Sequence, residues 1–188
     1  MSGVGPTPTV GSVSLVGGDL VVAGPAGYCV DPELSDVENR FAVLGGCDVL
    51  SNGGSVGPVH RAVLLVSISP DRAAHFAESH HLAAALGMPS GASARSKDGV
   101  QLVQLPTGGQ DILEGGDSQY WRGVTTVNGY LVMMTAISQN KGAATRKSGG
   151  DLLLKLAERI KDKSPERILP KAPKLRPENL GATRLASL

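Results

Sequence analysis

The stretch Tyr120-Trp121-Arg122-Gly123-Val124-Thr125-Thr126-Val127-Asn128-Gly129-Tyr130-Leu131-Val132-Met133-Met134-Thr135-Ala136-Ile137 decides the fold. Two runs rich in β-branched and aromatic residues flank Asn128-Gly129, a dipeptide that accepts the two positive φ values of a type I′ turn. The pattern predicts a tight antiparallel hairpin. No proline occurs between Thr107 and Ser164, so both strands can lie inside a sheet, where a residue lacking an N–H would break the ladder. Alternation places Tyr120 and Trp121 on opposite faces. With Tyr130 they make up half of an aromatic content of only 3%, and these three residues form the candidate binding surface if one of the first two is exposed. Core packing of both Tyr120 and Trp121 is the alternative.

Downstream of the hairpin, Ser148-Gly149-Gly150-Asp151 resembles a capping box. Leu152, Leu153, Leu156 and Ile160 then form one apolar stripe of a helix ending near Lys163. From Pro165 the composition changes, with four of the twelve prolines in the last 24 residues. Lys and Arg number nine against five acids in 151–188, a local +4, whereas 1–150 carries nine against twelve, a local −3. Residues 165–188 therefore read as a basic, Pro-rich extension. It is either a surface-draped terminus or a partner-docking arm, for which Leu169, Leu175, Leu180, Leu185 and Leu188 supply apolar anchors.

Upstream, Val100 to Leu105 alternates as a strand does, and Arg61 to Ser67 carries an unbroken apolar run suited to a covered strand. Ser69-Pro70-Asp71 offers a cap residue, a first-position proline and a first-turn acid, predicting a helix to about Leu86, stopped by Gly87. Residues 12–23 predict a hairpin around Gly17-Gly18-Asp19. Asp31-Pro32-Glu33 predicts a short helical turn. Arg40 to Leu44 and Val49-Leu50 read as strand pieces, and Ser51 to Val59, with three glycines and a proline, as a surface loop.

Cys29 and Cys47, 18 positions apart, fit one disulfide in an oxidising compartment, and closing that loop is worth about 3 kcal/mol on the chain-entropy estimate. Two inert buried thiols or a reactive cysteine are the other readings. The opening Met1-Ser2-Gly3-Val4-Gly5-Pro6-Thr7-Pro8-Thr9 has no basic region followed by an apolar one, so no intact signal peptide is present. A Gly/Ser/Pro/Thr opening suits the tether left after cleavage of a leader, and a lipid anchor could have stood on such a leader. The longest uncharged run, Gly123 to Asn140, is too polar for a spanning helix.

Glycine and proline together contribute 37 of 188 residues, against about 12% in average usage, so the chain is turn-rich and its core rests on Val, Leu and Ala. A net charge of +1 argues against nucleic acid as the main partner, since binding there neutralises many phosphates. His60, His75, His80 and His81 lack the spacing of a helical metal clip. Cys29 or Cys47 with His60 and Asp31 or Asp48 would compose a nucleophilic set only if folding gathered them. Gly-x-Gly-x-x-Gly and P-loop patterns are absent, and no Gly-x-Ser-x-Gly is expected at a strand-to-helix turn. The acid pairs Asp31/Glu33, Asp36/Glu38 and Glu114/Asp117 lack the dense oxygen pattern of a calcium loop. No catalytic residue, metal or cofactor is assigned.

The order hairpin, strand, helix, strand, long hairpin, helix over residues 60 to 163, with Tyr120 to Leu131 near its end, resembles the PsbP and Mog1-like proteins. Gly27-Tyr28-Cys29-Val30-Asp31 with Cys47 is similar to uncharacterised exported proteins of alphaproteobacteria. The first resemblance implies an α/β/α layered fold and a non-catalytic binding or assembly role. The expectation is thus a flexible segment 1–11, one α+β domain over 12–164 with a largely antiparallel sheet and two main helices, and the extension 165–188. The expected protein is a non-enzymatic factor of the periplasm or cell envelope that binds another protein. A small-molecule or lipid-binding domain, an uncharacterised enzyme and a cytoplasmic location are the alternatives.

Overall fold

The computed structural model describes residues 10–51, 62–72, 94–139, 142, 144 and 146–167. Within them a small hairpin, β1 (Ser12–Leu15) and β2 (Leu20–Ala23), precedes β3 (Tyr28–Asp36), β4 (Phe41–Gly46) and a one-turn helix α1 (Cys47–Leu50). Then come β5 (Ala62–Arg72), β6 (Ala94–Lys97), β7 (Val100–Leu105), a one-turn helix α2 (Gly109–Ile112), β8 (Tyr120–Val127), β9 (Tyr130–Ser138) and α3 (Lys147–Lys163). The seven strands from β3 onward form one sheet in the order β3-β4-β5-β9-β8-β7-β6, antiparallel at every pairing. The protein is therefore α+β, with a large antiparallel sheet, a two-stranded sheet and three helices among the described residues.

The β8–β9 hairpin forms as its sequence predicts. Val127 pairs with Tyr130, and Asn128 and Gly129 take φ of 49° and 80°, the doubly positive pair of a type I′ turn. Register assigns the faces. Trp121 opposite Ala136 and Gly123 opposite Met134, with Leu64 opposite Ala136 and Val66 opposite Met134, point to the side covered by α3 and the β1–β2 hairpin. There Leu15, Leu20 and Val22 join Leu152, Leu153, Leu156, Ala157 and Ile160 in the main core. Each large aliphatic chain so buried stabilises by about 1.5–3 kcal/mol. The other side carries a smaller core of Val103, Leu105, Tyr120, Val124, Leu131 and Ile137, with Ile112 and Leu113 from the 106–119 segment against it.

Three local expectations are corrected. Ser69-Pro70-Asp71 continues β5 instead of opening a helix. Ser69 spends its hydroxyl on the neighbouring strand, accepting from Leu131 N at 3.0 Å, and a register shift between Ile68 and Arg72 accommodates Pro70, which has no N–H to give the ladder. The expected helix beyond residue 72, and with it the second main helix, lies outside the described residues. Asp31-Pro32-Glu33 lies within β3. Its carboxylate does cap, taking Glu33 N at 2.9 Å and Leu34 N at 3.1 Å, but the chain returns to pairing at Asp36 opposite Phe41, so the cap closes an irregularity in an edge strand. Val49-Leu50 is helical, as part of α1.

The last helix starts earlier than the Ser148 capping box implies. Arg146 is its N-cap and offers no side-chain cap, because the helix entry is set by packing. A Cβ on Gly149 would lie 2.5 Å from Trp121 Cδ1, and one on Gly150 3.1 Å from the same ring. The glycine pair lets the first turn of α3 rest directly on the indole.

Candidate functional site

Four separate elements meet at the tip of the β1–β2 hairpin. Asp19, in its turn, places Oδ2 2.9 Å from the Arg72 guanidinium at the end of β5 and Oδ1 3.0 Å from Nε of Arg167, three residues beyond the C-cap of α3. From the β8–β9 turn, the Asn128 Nδ2 donates to the Asp19 carbonyl at 2.7 Å and to the Pro165 carbonyl at 2.8 Å. Ser164 closes the set, its hydroxyl accepting from Val21 N at 3.0 Å.

Arg72 also lies over Tyr130, with its guanidinium carbon 5.3 Å from the ring centroid. Hydrogen bonds to Tyr130 and then to Asp19 hold the guanidinium pKa above its ordinary value. The junction thus sets one carboxylate between two cations, with an amide bridging two backbone carbonyls. Together these groups tie Ser164, Pro165 and Arg167 to the β1–β2 hairpin and the β8–β9 turn.

The candidate surface aromatics separate. Tyr120 and Trp121 do lie on opposite faces, but each face has its own core, and both are buried. Trp121 Nε1 donates to Arg146 O at 2.8 Å and the Arg95 guanidinium lies 4.7 Å from its ring. Arg122 lies 5.7 Å from the Tyr120 ring. Both are core residues, which removes them from a solvent-facing surface. Tyr130 is half-buried and belongs to the junction.

Cys29 and Cys47 are joined in a disulfide with Cα atoms 4.9 Å apart, so neither sulfur is a thiolate nucleophile. The bridge fastens edge strand β3 to the start of α1, beside a backbone bond from Cys47 N to Gly27 O at 2.9 Å. Next to it, burial pushes the Tyr28 phenol up to about 12, a backbone hydrogen bond from Ala62 opposes this, and the Asp48 charge adds to the rise.

Within the acid pairs, the Asp31, Asp36 and Asp117 carboxylates accept from backbone N–H groups. Asp117 Oδ2 accepts from Gly142 N at 3.2 Å and Ser138 Oγ at 3.4 Å, while the Glu114 carbonyl accepts from Gln139 Nε2 at 2.9 Å; together these dock the 106–119 segment on the end of β9. Asp36 binds Asn39 through both carboxylate oxygens. His60, His75, His80 and His81 lie outside the described residues.

The seam between α3 and the sheet is filled by the helix's own apolar stripe. A groove of about 540 Å³ opens beside it, with Val100 and Leu154 among its lining and Lys97, Asp98, Lys155, Glu158 and Lys161 around them. No helix among the described residues is long and apolar enough to cross a membrane.

Asp19, Arg72, Asn128 and Arg167 escaped the sequence reading as a set. Asp19 and Asn128 each carry a local turn signal that fully accounts for them. Their partners lie 53 and 109 positions away, and no spacing rule connects such residues.

No family model and no curated protein matches this chain.

Proposed function

We propose that this is a non-enzymatic protein of the periplasm or cell envelope that works by binding another protein, with the 165–188 extension as its contact arm. The observation that carries this reading is the junction at Asp19. Three groups, Val21 N and the Asp19 carboxylate from the β1–β2 hairpin and the Asn128 amide from the β8–β9 turn, bind Ser164, Arg167 and Pro165, at the root of a segment carrying five basic and two acidic residues. An arm gains affinity when its root is pre-positioned.

The disulfide supports an oxidising, extracytoplasmic setting. For the architecture we favour the α/β/α layering of the PsbP and Mog1-like proteins, on the strength of the long hairpin followed by a helix packed across the sheet.

Photo-crosslinking in intact cells tests the contact, with the crosslinking residue placed at Leu175. A discrete protein adduct is expected, lost when the same label sits instead at Val49, an exposed residue on α1. An adduct pattern equal at the two positions overturns the arm as the contact.

A further inference from the structure

At one end of the sheet the β3–β4 turn lies beside the end of β5. Phe41 pairs with Ser67 there, and the Arg40 guanidinium donates to the carbonyls of Ser69, at 3.0 Å, and Pro70. Residues 31–40 carry Asp31, Glu33, Asp36 and Glu38 against a single cation, Arg40. Arg40 is half-buried on those carbonyls, whereas Glu33, Asp36, Glu38 and the neighbouring Asp71 of β5 are exposed. The tip therefore shows water a negative surface.

Leu34 and Val37 stand among these acids with 64% and 50% of their surface exposed. Together with Val10, which bridges to Val30 on the outer side of the same strand, they are three of the four large aliphatic residues exposed among the described residues. Apolar surface left in water is unfavourable, and a partner that covers it relieves the cost.

The main chain of this edge is closed to strand addition. Val30 N donates to Val10 O at 2.8 Å, Pro32 has no N–H, and the N–H groups of Glu33 and Leu34 are taken by Asp31 Oδ1 at 2.9 and 3.1 Å. An edge blunted in this way does not extend a sheet. Recognition here falls to side chains, two aliphatic ones set among carboxylates.

We propose that the β3–β4 tip, residues 33–38, is a docking surface for a protein segment in which lysine or arginine is interspersed with aliphatic residues. Charge selects that class of partner. The carboxylates attract ammonium and guanidinium groups and repel phosphates, which turns away nucleic acid and anionic lipid. Leu34 and Val37 add a preference for aliphatic residues that charge alone does not supply. The surface is separate from the 165–188 extension and opposite to it in charge, so its test stands apart from the reading of the extension as an arm.

The test follows the backbone amides of the labelled full chain by NMR while a short peptide alternating leucine and lysine is added at physiological ionic strength. Saturable shifts are expected at residues 33–40 and 71. Leu34→Ser/Val37→Ser weakens binding about tenfold, the effect of leaving a few methyl and methylene groups uncovered. Glu38→Lys weakens it about two- to fivefold, as loss of a surface pair does. A peptide of lysine alone binds the wild type at least about fivefold more weakly. All three substituted side chains are exposed, and unchanged amide positions outside the tip verify that each variant keeps the fold.

Absence of shifts at millimolar peptide overturns the proposal. So does equal binding by Leu34→Ser/Val37→Ser or by the lysine peptide, since charge alone would then account for it, and so does saturable binding of anionic phospholipid vesicles or single-stranded RNA at the tip. Amides of residues 168–188 that shift in Leu34→Ser/Val37→Ser without any peptide overturn it as well, because the occupant would then be the chain's own extension.

Discussion

Arg167 Nε and Asp19 Oδ1 lie 3.0 Å apart across 148 positions of chain, and the other oxygen of the same carboxylate lies 2.9 Å from Arg72. One acid on a hairpin tip thus answers for both the end of a central strand and the exit of the last helix. Its side chain is 20% exposed against 49% and 44% for the two arginines, so solvent screens both pairs.

That screening sets the size of the first prediction. Asp19→Asn should lower unfolding stability by about 0.5–1 kcal/mol at low salt, and the difference from wild type should shrink as salt rises towards molar, where the Debye length falls to about 3 Å. Urea midpoints at two ionic strengths measure this. A loss independent of salt would mean that Asp19 does not act through its charge.

Gly149 tests whether packing or propensity governs the start of α3. Alanine is the better helix former by about 1 kcal/mol, which favours substitution. Its Cβ, however, would sit 2.5 Å from Trp121 Cδ1 and 2.6 Å from the Ala144 carbonyl oxygen, and overpacking against a buried indole and backbone costs about 1–3 kcal/mol. Gly149→Ala should therefore destabilise, with a shift in the fluorescence of the single tryptophan. A stabilised variant would show that the ring can move aside.

The Cys29–Cys47 bridge closes a loop of 18 positions, for which reduction should cost about 3 kcal/mol. Thiol titration of the denatured, unreduced protein should find no free thiol. Two free thiols would remove the disulfide and, with it, the main support for an exported protein.

Tyr28 gives an alkaline signature. Its folded pKa, about 12, stands above the ordinary 10.0. The unfolded chain therefore releases the phenol proton first as pH rises, and the stability this group contributes is full below pH 10 and is lost on the way to 12. In the wild type the Tyr28 phenol should ionise late in a phenolate absorbance titration. Tyr28→Phe should abolish that late step and flatten the fall of stability between pH 10 and 12. A phenolate titration that Tyr28→Phe leaves unchanged above pH 10 would contradict the burial.

Local chemistry made part of this legible. Asn128-Gly129 tolerates a backbone that few other pairs do, so the long hairpin could be read directly, and the spacing of Leu152, Leu153, Leu156 and Ile160 could only belong to a helix with one buried side. Asp31 and Ser69 show the limit of such reading. Both carry real capping chemistry, yet pairing with β4 and β9 offered their backbone groups a competing set of partners. Tyr120 and Trp121 show another: alternation separates two faces but cannot say that both are covered.

By itself, then, the sequence determined the β8–β9 turn, the amphipathic final helix, the cysteine pair able to form the bridge, and the basic, Pro-rich character of the extension, because each depends on residues close in the chain or on composition. The tertiary structure alone decided that Ser69 and Asp31 stay in strands, that both hairpin aromatics are buried, and that Asp19 meets Arg72, Asn128 and Arg167. Those outcomes depend on contacts between distant segments, where the favourable partner is chosen by the register of the whole sheet and leaves no mark on any local stretch.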